Sequence, residues 1–201
     1  MLAVAILSAG ESRRMGTPKA LLPYRGRTFI EHLVEITRHP RIGITRIVLG
    51  AGADAIRQHI TASSIAPMDA ASVVVNADWP KGQLSSIQCA VRSLPAGLTE
   101  GLMVCPVDHA FVSAVVIEKL IAAFDFARRA IVLPIFDGRR GHPVLFRSDL
   151  YDELLAASHE VGARQVVWAH ANDAVQVPVD EEGVILNLND PASLERAMKG
   201  L

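Results

Sequence analysis

Apolar, β-rich runs recur at residues 2–7, 44–49, 72–75, 102–107 and 130–135, separated by stretches whose apolar positions fall at helical spacing. Continuous apolar runs of this length suit strands covered on both faces, and their alternation with helices predicts an α/β fold with a mainly parallel, doubly wound sheet. Thr28 is placed to cap a helix carrying Ile30, Leu33, Val34 and Thr37, with Glu31 at the capping-box position and His39-Pro40 marking the end. Ser113 opens a second helix whose apolar residues Val116, Ile117, Leu120, Ile121 and Phe124 share one face. The second half reads less regularly. Residues 142–146 form a short strand after an Asp137-Gly138 turn, and residues 175–179 form another interrupted at Pro178, which argues for an edge; together they are expected to make a flanking β-hairpin region. Asp190-Pro191 starts a last helix over residues 192–198.

The most informative stretch is Leu7 to Lys19, LSAGESRRMGTPK, where the first buried strand runs into a loop with two glycines, two arginines and a lysine. In open α/β sheets ligands bind outside the carboxyl ends of the strands. Small residues at Ser8, Ala9 and Gly10 let a ligand approach the backbone, and Arg13, Arg14 and Lys19 supply positive charge. Two commoner phosphate motifs are excluded. Gly10 and Gly16 enclose five residues, with Thr17-Pro18 before Lys19, which is not a Walker loop, and G-x-G-x-x-G is absent. Pro18 predicts that Lys19 is delivered from a rigid, non-helical segment. The plainer reading is a solvated basic turn.

Four further stretches carry candidate chemistry, each with a structural alternative. Asp108 emerges from the buried run ending at Val107, where it suits either magnesium beside a triphosphate or the cap of the following helix. Asn187 and Asn189 fall on one side by alternation, and either could complete a metal shell or cap the last helix. Gly82-Gln83-Leu84-Ser85-Ser86 is a small polar turn fit to contact a base or ribose, or a helix cap. Residues 137–143 form a basic turn able to hold a second substrate's phosphate, or a solvated hairpin tip. The histidines at 32, 39, 59 and 170 show no metal spacing, and Ser12 lacks a His and Asp partner for nucleophilic catalysis.

Composition narrows the class. The 201 residues suit one domain, residues 1–201, and a net charge of −1 gives no general pull toward nucleic acid or membrane. Cys89 and Cys105 are the two cysteines and form no C-x-x-C pair, which argues against a disulfide framework and fits a reducing cytoplasm. The N-terminal apolar run breaks at Ser8 to Gly10, too short for a signal peptide or a spanning helix.

With these residues in view the chain resembles the nucleotidyltransferase superfamily defined by L-x-[AG]-G-x-S-x-R-M-G-x-x-K, here Leu7, Ala9, Gly10, Ser12, Arg14, Met15, Gly16 and Lys19. Within it, GQLSS from Gly82 and GRRGHPVLF from Gly138 to Phe146 are similar to the molybdenum cofactor cytidylyltransferase branch. The resemblance implies a three-layer α/β/α sandwich with a Rossmann-like sheet. It also implies transfer of a nucleoside monophosphate, CMP before others, from a triphosphate to molybdopterin or molybdenum cofactor, with release of pyrophosphate. Carried over, Leu7, Ser8, Ala9 and Gly10 wrap the nucleotide, Arg14 and Lys19 hold its phosphates, and Gly82, Ser85 and Ser86 contact the nucleoside. Asp108 binds Mg2+ with help from Asn189, and Gly141 and His142 face the acceptor. The product could pass to a molybdoenzyme or chaperone partner. Two positions depart from the branch: Asp108-His109-Ala110 stands where it has Asp-Gln-Pro, and Asn187 and Asn189 stand where it has acidic residues. Guanylyl-transferring relatives carry asparagines there, whereas Ala9 favours cytidine. The alternatives are a sugar or polyol phosphate acceptor, a GTP-using enzyme, and a catalytically silent nucleotide- or pterin-binding module.

Overall fold

The computed structural model describes residues 1–63 and 72–199. Its centre is β1 (Leu2–Ser8), in which every residue is buried. Leu2, Val4 and Ile6 point to one face and Ala3, Ala5 and Leu7 to the other, so the strand feeds two cores. It lies between β4 (Ile42–Leu49) and β6 (Gly101–Pro106), parallel to both. Beyond β4 lies β5 (Val73–Val75), also parallel. On the far side of β6 come β9 (Val144–Arg147), β7 (Ile131–Phe136) and β10 (Ala174–Pro178).

Helices cover both faces. One core packs α1 (Phe29–Ile36), α2 (Ala53–Ala62), α4 (Ala114–Ala127) and α7 (Pro191–Lys199) on the sheet. The other packs α3 (Gln83–Arg92), α5 (Tyr151–Ala156) and α6 (Arg164–Ala169). The result is the three-layer sandwich expected. The capping box at α1 is present, with Glu31 N–H donating to Thr28 Oγ1 and Thr28 N–H donating to Glu31 Oε2. Ser113 Oγ accepts from Val115 N–H at the start of α4.

The flanking hairpin is built differently from the expectation. Residues 144–147 do not sit on a flank with residues 175–179. As β9 they run antiparallel between β6 and β7, in the middle of the sheet. Val144, Leu145 and Phe146 are all buried, which is what a central position demands and what a short apolar run beside a turn cannot reveal. β10 is an edge strand as its proline predicts. The small antiparallel hairpin sheet lies elsewhere, pairing β2 (Pro23–Tyr24) with β3 (Arg27–Thr28). The Asp137-Gly138 turn does form, joining β7 to β8 (Arg139–Arg140) with both turn residues at positive φ.

One consequence positions the site. β4 and β5 extend from one side of β1, and β9, β7 and β10 from the far side of β6, so the strand order reverses between β1 and β6. Leu7 pairs with Pro106, which brings the loops after both strands to one crevice.

Candidate active site

That crevice is a cleft of about 410 Å³. Leu7, Ser8, Ala9 and Gly10 line one side with Ser12, Arg13, Arg14, Pro18 and Lys19, and Asp108 and Asn189 line the other. Gly82, Gln83 and Ser86, from the first turn of α3, close the edge. The positive end of that helix therefore borders the cleft.

The loop 10–19 folds around its own polar groups. Ser12 adopts a left-handed conformation before a 3-10 turn at Arg13–Met15, and its hydroxyl oxygen accepts from Lys19 N–H at 3.1 Å. Ser12 is thus a brace for Lys19. Pro18 is extended, but Lys19 opens a 3-10 turn, Lys19–Leu21, which corrects the expectation of a wholly non-helical segment. Proline suits the position before such a turn because it fixes its own φ and needs no N–H partner.

Lys19 reaches across the cleft. Its ammonium donates to Asn189 Oδ1 at 2.7 Å and lies 3.5 Å from Asp108 Oδ2. Leu188 N–H donates to the Asp108 carbonyl at 2.9 Å, fixing the C-terminal segment over the end of β6. Asp108 and Asn189 thus aim two hard oxygens at one cation. That donor set fits magnesium, which takes one or two protein oxygens and fills its shell with water and substrate phosphates. Among the described residues no three of His, Cys, Asp and Glu converge as a metal cage.

Other expected residues divide. Asn187 does not share a side with Asn189: residues 186–189 are not a strand, and Asn187 lines a separate cavity of about 880 Å³ with Tyr24, Arg25 and Glu181. The last helix is capped by Asp190, whose Oδ1 accepts from Ser193 N–H at 2.8 Å. That bond, supported by Arg14 and Arg196, holds the Asp190 carboxyl below its ordinary range. Ser86 lines the cleft, while the Ser85 hydroxyl is used inside the protein, donating to Gly82 O and accepting from Asn76 Nδ2.

Gly141 and His142 line a neighbouring cavity of about 460 Å³. Its floor is apolar, from Ile87, Val104, Leu133 and Phe146, and its rim carries Arg140, His159 and Arg164, with Arg164 over the Trp168 ring. Gln83 lines this cavity and the cleft alike. His142 packs on His109 with ring centroids 4.5 Å apart, and both Nδ1 atoms are buried without a partner. Burial, then His109, pushes His142 down to about 4. Burial also lowers His109, against the pull of Asp108. Burial thus favours the neutral form of both rings.

Sequence reading missed two supports. Gly50 touches Ala9: a Cβ there would lie 2.6 Å from the Ala9 carbonyl and 2.7 Å from Trp79 Cβ. Asn76, buried just after β5, ties Ser85 and Ser86 to the cleft edge. Gly82, which the sequence did single out, has φ 97°, which a side chain would strain. Only its position in a polar turn pointed that way.

A basic, glycine-bearing loop, a carboxylate and an amide meeting where the strand order of an α/β sheet reverses are the arrangement of a nucleotide-handling enzyme. Residues 4–175 match the family described as the MobA-like NTP transferase domain, and the chain belongs to that family. It is 31% identical over 166 residues to the nicotine blue oxidoreductase of Paenarthrobacter nicotinovorans, covering 79% of this chain and 78% of that one. It is 29% identical over 210 residues to a probable molybdenum cofactor guanylyltransferase of Mycobacterium tuberculosis, covering 98% and 94%. The crystal structure of Rv0371c from Mycobacterium tuberculosis superposes with a TM-score of 0.83 at 22% identity, over 100% and 99% of the chains, and so shares the fold.

Proposed function

We propose that the chain transfers a nucleoside monophosphate from CTP to a phosphorylated pterin of the molybdopterin type, releasing pyrophosphate. The observation that carries this reading is the convergence of Lys19, Asp108 and Asn189 in a cleft that shares Gln83 with a second, basic-rimmed cavity. The cleft takes the triphosphate. The second cavity, apolar below and cationic at the rim, suits a planar heterocycle bearing a phosphate.

In this reading Leu7, Ser8, Ala9 and Gly10 wrap the nucleotide, with Gly82 and Ser86 at the nucleoside. Ser85 acts through Asn76, as a positioning residue. Gly141 and His142 border the acceptor. An acceptor phosphate oxygen attacks the α-phosphorus in line; the new P–O bond forms as the bond to the bridging β-oxygen breaks, and its electron pair leaves with pyrophosphate. The attacking oxygen is already ionised, so no protein base is needed. Lys19 neutralises charge around the α-phosphate and Arg14 holds the departing pyrophosphate. Asp108 and Asn189 would hold Mg2+, which reduces repulsion between the two anions. Catalysis is positioning and charge neutralisation.

CTP is assigned because Ala9 stands where the guanylyl-transferring branch tends to carry glycine. The names of the mycobacterial relatives support a second reading, GTP with the same acceptor. The name of the Paenarthrobacter relative supports a third, oxidoreduction in the same cavities. A pyrophosphate-release screen of four triphosphates with and without molybdopterin separates them, since a redox enzyme releases none. Lys19→Ala and Asp108→Ala are each expected to lower turnover by about 100-fold or more, with smaller losses of nucleotide affinity. Normal pyrophosphate release by both variants would sink the assignment.

A further inference from the structure

Lys19 is held by the same two oxygens that would hold the metal. Its side chain is 12% exposed and sets the ammonium between Asn189 Oδ1 and Asp108 Oδ2, the Asp108 side chain being 25% exposed. The hydrogen bond bridges 170 residues of chain and ties the loop 10–19 to the segment before α7. Two features make this more than a surface ion pair. The backbone of Lys19 is fixed by Ser12, and the backbone of Leu188 is fixed to Asp108, so each partner is anchored from its own side. The aliphatic stem of Lys19 leaves from a 3-10 turn whose next residue, Ala20, is fully buried.

We propose that Lys19 is a resident counter-ion that keeps a divalent cation out of the nucleotide-free site, and that the triphosphate admits the metal by drawing the Lys19 ammonium onto its own phosphates. An ammonium and a divalent ion cannot both contact the same carboxylate and amide oxygens without strong repulsion in a partly buried cleft. Phosphate oxygens offer the ammonium a richer anionic partner, and its departure frees Asp108 Oδ2 and Asn189 Oδ1 together. Metal and nucleotide binding are then coupled: each raises the affinity for the other by the same factor. The swap also gives the loop a reason to be tethered before substrate arrives. The arginines and glycines stay poised over the cleft, and the free enzyme does not hold a metal with no triphosphate beside it. This deepens the nucleotidyltransferase reading, on which its use in catalysis rests, but the ion exchange itself is a property of the binding site.

The test is binding of Mn2+ to the nucleotide-free protein, followed by isothermal titration and by the loss of the free-ion electron paramagnetic resonance signal. Wild type is expected to bind Mn2+ weakly, and Lys19→Met, which keeps the stem and removes the charge, to bind about tenfold more tightly or better. Addition of α,β-methylene-CTP is expected to raise the Mn2+ affinity of wild type by a larger factor than that of Lys19→Met. Mn2+ binding by Lys19→Met no tighter than by wild type overturns the proposal. Should Lys19→Met not fold, wild type alone decides: micromolar binding of Mn2+ without nucleotide that disappears in Asp108→Asn also overturns it, and weak binding that α,β-methylene-CTP strengthens at least tenfold supports it. Failure of the functional reading looks different. A protein that exchanges Lys19 for Mn2+ as described yet releases no pyrophosphate with any triphosphate and molybdopterin keeps this inference and loses the other.

Discussion

Gly50→Ala is the substitution for which the geometry makes the most definite demand. Gly50 follows β4, and its φ lies outside the left-handed region, so the backbone itself accepts alanine. The obstacle is space: the new methyl would meet the Ala9 carbonyl at 2.6 Å, Trp79 Cβ at 2.7 Å and Ala9 Cβ at 2.8 Å. Two of these atoms belong to the loop after β1, and the third to a residue lining the same cleft. The Ala9 carbonyl is further pinned by Ala51 N–H at 3.0 Å, so it cannot retreat without losing that bond. Overpacking of this kind costs about 1–3 kcal/mol. For a chain of this size that is a fall in Tm of roughly 2–12 °C. Displacing Ala9 by a few tenths of an ångström also moves Ser8 and Gly10, and a misplacement approaching 1 Å costs up to about 100-fold in catalysis.

Gly10→Ala supplies the control. Its methyl would meet nothing within 4 Å, and its φ is also outside the left-handed region, yet Gly10 lines the cleft. Stability should be unchanged or rise by about 0.4–1 kcal/mol through the unfolded chain. Nucleotide affinity should fall, because Gly10 lines the cleft proposed for the nucleotide. Thermal melts and titration calorimetry with nucleotide thus separate the two effects: Gly50→Ala lowers both, Gly10→Ala only affinity. Wild-type Tm and affinity in Gly50→Ala would refute the packing argument.

The His142 ring, neutral in the folded protein with a value near 4 against an ordinary 6.5, contributes stability that is full above about pH 6.5 and is lost as pH falls toward 4. The loss amounts to roughly 3 kcal/mol, so the stability of His142→Gln should fall less steeply over that window than wild type in denaturant titrations. Burial raises the thiols of both cysteines, but Cys105 is fully enclosed and Cys89 is half-buried. A thiol reagent should label Cys89 slowly in the native protein and Cys105 only on unfolding; equal rates would contradict the burial. Thr28→Ala removes the capping box of α1 and should cost about 1 kcal/mol in a chemical melt.

What the sequence made legible was local. The buried run at β1, the capping box at Thr28 and the turn at Asp137-Gly138 are each written in a few adjacent residues, because each depends on burial period or backbone preference alone. The place of β9 was not legible, since an apolar strand of four residues fits a flank or a centre and only its partners β6 and β7 decide. The separation of Asn187 from Asn189 has the same origin. Alternation puts both on one side only in an extended strand, and the Leu188 bond to the Asp108 carbonyl bends the segment instead. Gly50 and Asn76 carry no motif; their roles arise from what β4 and β5 bring against the Ala9 loop and the start of α3.

The segment 183–189 shows why the far side of the cleft was harder to read than the loop after β1. Gly183 packs on Phe111 with no room for a side chain, His142 N–H donates to the Val184 carbonyl at 2.8 Å, and Leu188 N–H donates to Asp108. One strap thus touches the basic-rimmed cavity at His142, the Lys19 partners Asp108 and Asn189, and through Asn187 the third cavity. None of its residues is a strong motif in isolation. Its role follows from crossing the end of β6, where the strand order reverses, so the chemistry that Leu7 to Lys19 announces is completed by residues as far as 170 positions away. A substitution in the strap that displaces Leu188 should therefore disturb Lys19 and His142 together, whereas one in the loop 10–19 should leave His142 in place.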